Sequence, residues 1–128
     1  MNLLVETIFF AIIILAIDIP WILFYMQSVY VQVLAKNNLN LSGNVIAPIL
    51  AYLVMILSYP LLLYDKNKTK MLGRAMALGF VIYGTYGFTL SSFLPHYTLD
   101  IALKEVIWGT FLYTLSCLIT NKISNLFN

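Results

Sequence analysis

The sequence predicts an all-α fold, an integral membrane four-helix bundle, on three observations. Of 128 residues, 62% are hydrophobic and 9% charged, whereas ordinary soluble domains carry about 25% charged residues. Four apolar runs, near residues 7–30, 45–64, 71–94 and 99–120, each reach the roughly 20 residues needed to cross hydrocarbon. No segment alternates apolar and polar residues as a barrel strand does. Backbone groups in lipid are satisfied only within helices or closed barrels, so helices are the spanning elements. The connections are short, which makes residues 1–128 one transmembrane domain.

The first run carries a carboxylate, Asp18, within LAIDIPWI. A central Asp costs about 3 kcal/mol on the insertion scale, and each Leu, Ile, Phe or Val returns about 0.3–0.6. The Ile, Leu and Phe residues around it outweigh that cost, so the span inserts. An acid at this depth persists when protein encloses or uses it. The run opens MNLLVET, without Lys or Arg, and exceeds a signal-peptide core, so it is expected to remain as helix 1. Asp18, Trp21, Tyr25, Ser28 and Gln32 follow at steps of three and four, which places them on one stripe. Pro20 cannot donate to the carbonyl of Ala16. The resulting kink either opens space for water, a cation or a polar side chain, or packs against a neighbouring helix.

The second run holds Tyr52, Tyr59 and Pro60 but no internal charge, and is expected to be scaffold. Between runs two and three, DKNKTKMLGR supplies Lys66, Lys68, Lys70 and Arg74, and Lys122 lies on the same side; the opposite side has Lys36 and Lys104. The positive-inside rule then places both termini in the cytoplasm. This basic cluster is too small and too poor in interleaved stacking groups for nucleic acid, which is not expected as a partner.

The third run brings Gly73, Ala77, Gly84 and Ser91 near one face, with Gly87 beside them, the small-residue pattern that lets helices approach closely in lipid. Tyr83 and Tyr86 flank that face, their hydroxyls within the expected reach of Asp18 or Glu105. In the fourth run Glu105 precedes Trp108 by three residues, as Asp18 precedes Trp21, and Gly109, Tyr113, Ser116 and Thr120 continue the seam. Glu105 is open to two readings: a second enclosed carboxylate, or a side chain that reaches the interface beside Lys104. Cys117 is expected to be packing material. His96 has no His or Cys partner at metal-ligand spacing, so no metal site and no cofactor are expected. Phosphate loops, nucleophile elbows and HExxH patterns do not occur.

Three of these segments, LAIDIPWI, VIYGTYGFTL and KEVIWGTFL, resemble the signature stretches of the small membrane proteins grouped as domain of unknown function 2177. The resemblance spans almost the whole chain. It rests on Asp18 and Trp21, then Tyr83, Gly84, Thr85, Tyr86 and Thr89, then Glu105, Trp108 and Gly109. Two positions depart from the family pattern: Gly87 stands where an acidic residue is usual, and Leu90 where Asn is. The resemblance implies fold and location, and brings no activity with it.

The candidate functional polar centre is therefore Asp18, Trp21, Tyr25, Tyr83, Tyr86, Glu105 and Trp108. The favoured function is binding or translocation of a proton, cation or small solute, without catalysis. The alternative is a membrane-embedded enzyme or accessory subunit acting on a lipid or isoprenoid-like substrate, whose weakness is the missing nucleophile or metal set. A third reading leaves the polar seams as helix-to-helix glue. The expected partners are the lipid bilayer, a small-molecule or ion ligand and a second copy of the chain, since four helices enclose little interior.

Overall fold

The computed structural model describes residues 1–127 and contains four helices long and apolar enough to cross a membrane: α1 (Leu3–Lys36), α2 (Ile46–Leu63), α3 (Lys68–Phe93) and α4 (Leu99–Leu126). No strand occurs among the described residues. Helix α1 begins earlier and ends later than the apolar run 7–30, and α4 ends later than the run 99–120, because polar flanks extend these helices beyond their apolar cores.

Helix α1 starts at Asn2, whose side chain accepts the Val5 N–H at 2.9 Å and so satisfies one of the donors a helix start leaves open. Its inward face is Glu6, Phe10, Ile14 and Asp18, one residue every four. The α-helix turns every 3.6 residues, so a strict four-residue stripe drifts around the cylinder. Pro20 interrupts the ladder, and a π-helical turn over Ile22–Met26 follows. Such a turn inserts one extra residue. The inward face continues through Met26, the last residue of this turn, and Val33 beyond it. Helix α2 repeats the device at its far end: Pro60 lies in a π turn over Tyr59–Leu63, closed by the Tyr64 N–H donating to the Tyr59 carbonyl at 2.9 Å.

Helix α4 is the centre of the bundle. It packs along most of α3 and against α1, while α2 lies on α1 and approaches α3 only through the turn at Tyr59–Leu63. Close α3–α4 approach depends on Gly79 and Gly109. A Cβ added at Gly79 would strike the Gly109 carbonyl and come within 2.9 Å of Thr110 Cα; one at Gly109 would enter the ring of Tyr83. Gly87 sits against Ala102, the backbone carbonyl 3.2 Å from where its Cβ would be. Gly73, expected on this face, is exposed with nothing within 4 Å, because the inward register of α3 runs through Met71, Ala75 and Gly79 instead.

Two apolar clusters fill the interior. The larger joins Phe10, Ile14, Tyr59, Leu63, Met71, Leu112 and Cys117; the smaller joins Val33, Tyr97 and Ala102. The smaller one seals the end of the bundle where α1 meets the α3–α4 turn. Asn37 fastens that junction by donating to the Pro95 carbonyl at 2.7 Å. At the opposite end, Asn67 caps α3 through the Thr69 and Lys70 N–H groups. The Asn67 N–H, followed by Arg74, holds the Asp65 carboxyl below the usual carboxylate range.

Candidate functional site

Two buried carboxylates from helices far apart in sequence line one cavity. Asp18 on α1 is 2% exposed and Glu105 on α4 is 3% exposed. The cavity encloses about 440 Å³ between α1, α2 and α3, with Glu105 in its wall. Trp21, Met26, Tyr30, Tyr52, Tyr83 and Tyr86 are among its lining side chains.

Asp18 is held on both oxygens. Tyr52 Oη donates to Oδ2 at 2.7 Å, and Trp108 Nε1 donates to Oδ1 at 2.8 Å. Hydrogen bonds of this kind stabilise an acid that lipid would otherwise expel. Glu105 accepts from the Tyr30 hydroxyl on Oε1, and Tyr86 donates in turn to Tyr30 at 3.1 Å. Side chains from all four helices therefore converge on the two acids. Burial also excludes the interface reading of Glu105, which turns inward from Lys104 rather than reaching for the headgroups.

Indole stacking joins α1 to α4. The Trp21 and Trp108 rings lie 4.5 Å apart at 10°, so the paired acid-x-x-Trp segments meet face to face. Trp108 reaches behind Asp18, while the Trp21 Nε1 is buried without a hydrogen-bond partner.

Of the seven expected centre residues, the structure brings Asp18, Trp21, Tyr83, Tyr86 and Glu105 to the cavity and sets Trp108 directly behind it. Tyr83 covers Gly109 with its ring. Tyr25 does not join them. It is 37% exposed and stands against the outer edge of Trp21, ring centroids 4.7 Å apart. The cause is the π turn, whose extra residue rotates Tyr25, Ser28 and Gln32 outward and replaces them with Met26, Tyr30 and Val33.

Helix α2 also differs from the scaffold role expected of it, since Tyr52 supplies one of the two donors to Asp18. A second polar cluster was not anticipated at all. Glu6, 2% exposed, accepts from Tyr59 Oη at 3.1 Å and from the Ser124 hydroxyl, and pairs with Lys68 Nζ at 3.7 Å. The sequence signal for it is an acid on the same four-residue stripe as Phe10, Ile14 and Asp18.

Among the described residues, no three His, Cys, Asp or Glu side chains gather as a metal ion requires. The polar centre is suited to holding a charge, exchanging a proton or orienting a polar head, with aromatic rings as the remaining wall.

A family model described as a predicted membrane protein, DUF2177, matches residues 3–121. No curated protein and no solved structure matches the chain.

Proposed function

Since the chain belongs to the DUF2177 family of predicted membrane proteins, with four candidate spans, we propose that it binds a small ligand within the membrane and passes it between compartments or between bilayer and water. The observation that carries this reading is the sharing of one cavity of about 440 Å³ by Asp18 and Glu105. Its size falls in the range of ligand pockets, about 300–1,000 Å³. Polar seams that merely glued helices together would close on themselves and leave no such space.

The positions of the ends support the orientation with both termini in the cytoplasm. Glu6 near the start of α1 meets Lys68 at the start of α3 and Ser124 near the end of α4, so the ends and the basic link share one face of the bundle. Reporters fused to either end should be active only on the cytoplasmic side; activity outside would reverse the assignment.

One observation favours a second reading. The outer part of α2 stands away from α3, and Pro48, Ala51 and Tyr86 on either side of this gap are exposed cavity-lining residues. A sideways mouth admits molecules from the bilayer, as an enzyme or accessory acting on a lipid or isoprenoid-like substrate requires, with the carboxylates as acid and base. Reconstituted vesicles separate the two. In the binding and translocation reading, Asp18→Asn abolishes uptake of ligand while assembly is retained; unchanged flux rejects it. A copurified lipid that is chemically altered by the wild-type chain and not by that variant establishes the second.

A further inference from the structure

We infer that the cavity selects monovalent organic cations with an apolar body, such as quaternary ammonium or protonated hydrophobic amines. This rests on the reading of the cavity as a ligand site and names the ligand class.

Charge is the first argument. Among the described residues, the lining includes Asp18 and Glu105 and no Lys, Arg or His. A cationic group entering it meets acceptor oxygens on both acids, at a depth where a charge is retained only when it is paired. Lys68 pairs with Glu6, near the start of α1 and away from the cavity.

The hydrogen bonds leave a place for that cation. Asp18 is fixed by donors on both oxygens, whereas Glu105 accepts from Tyr30 on Oε1 alone among the described residues. Glu105 is 3% exposed and lines the cavity, so its second oxygen is an enclosed acceptor available to a ligand.

The walls decide between an inorganic ion and an organic one. A hard metal ion takes six or more oxygen ligands, and no group of three acidic, His or Cys side chains forms here among the described residues. Tyr30, Tyr52, Tyr83 and Tyr86 instead bring aromatic rings around the two acids. Ring faces attract ammonium groups, most strongly where water is excluded, and they accept the apolar substituents that such ions carry. A cavity of about 440 Å³ far exceeds a bare ion. Entry from the side, through the gap between α2 and α3, suits a molecule that partitions into the bilayer before it binds.

The test uses benzyltrimethylammonium as probe and phenylmethanesulfonate as the oppositely charged control, titrated into the full chain in nonionic micelles. The chain's two tryptophans, Trp21 and Trp108, both stand at the site, so indole emission reports on it directly. The ammonium should change that emission saturably and the sulfonate should not. Glu105→Gln and Asp18→Asn, which keep the size of each side chain and remove its acid, should each weaken ammonium binding at least tenfold. Ala51→Phe, placing a ring at the mouth, should block it. Equal binding of both probes, or affinity in both acid variants within twofold of wild type, overturns the cation assignment; if Ala51→Phe still abolishes that binding, the cavity remains a ligand site. Binding indifferent to Ala51→Phe, or no saturable response to either probe, overturns both.

Discussion

The Tyr52 hydroxyl donates to Asp18 Oδ2 at 2.7 Å, across 34 positions of sequence, and so ties α2 to the acid in the middle of α1. Removing only that donor isolates its contribution. Tyr52→Phe should lower the unfolding free energy by about 1 kcal/mol, the scale of interhelical hydrogen bonds in membranes. Titrating the variant with sodium dodecyl sulfate in mixed micelles would show it as an earlier transition. A transition coincident with wild type would mean that the bond contributes nothing to holding α2 in place.

Glu6 and Lys68 respond unequally. Lys68 is 31% exposed in its side chain and Glu6 is 3%. Without its partner Lys68 turns to water, whereas Glu6 without Lys68 keeps Tyr59 and Ser124 as donors. Glu6→Ala removes an acceptor that two buried hydroxyls share and should cost about 2–3 kcal/mol; Lys68→Ala should cost about 1 kcal/mol or less. The same unfolding titration ranks them, and a reversed order would place the worth of the cluster in the ion pair.

Glycine substitutions discriminate between positions on α3. Gly79→Ala forces a Cβ against the backbone of Gly109 and Thr110, which cannot rotate away, so the α3–α4 seam must open. Overpacking of this kind costs about 1–3 kcal/mol or more. Gly73→Ala meets nothing within 4 Å and should be neutral or stabilising by up to about 1 kcal/mol from helix propensity. Comparable losses in both variants would contradict the seam.

Much of this arrangement is legible in the residues themselves. Apolar run length places all four helices, because crossing hydrocarbon imposes a minimum that few other constraints disturb. The three-residue spacing in Asp18-x-x-Trp21 and Glu105-x-x-Trp108 anticipates a shared polar centre, since the first pair ends before the π turn begins and the second lies inside a regular helix. Tyr30 escapes notice because Pro20 and the following π turn shift the register by one residue, and no periodicity counted on a regular helix carries across that break. Tyr52 and Glu6 escape for another reason. Which neighbour a side chain meets depends on helix arrangement, and an isolated Tyr in an apolar run looks the same whether it faces lipid or an acid.

The most direct measurement is a crystal structure of the protein grown from a lipidic mesophase. It should show Asp18 bound by Tyr52 and Trp108, Glu105 bound by Tyr30, and both acids facing one open cavity between α1, α2 and α3. An Asp18 side chain directed at acyl chains, or α2 packed against α3 along its whole length with the cavity filled by side chains, would contradict the account.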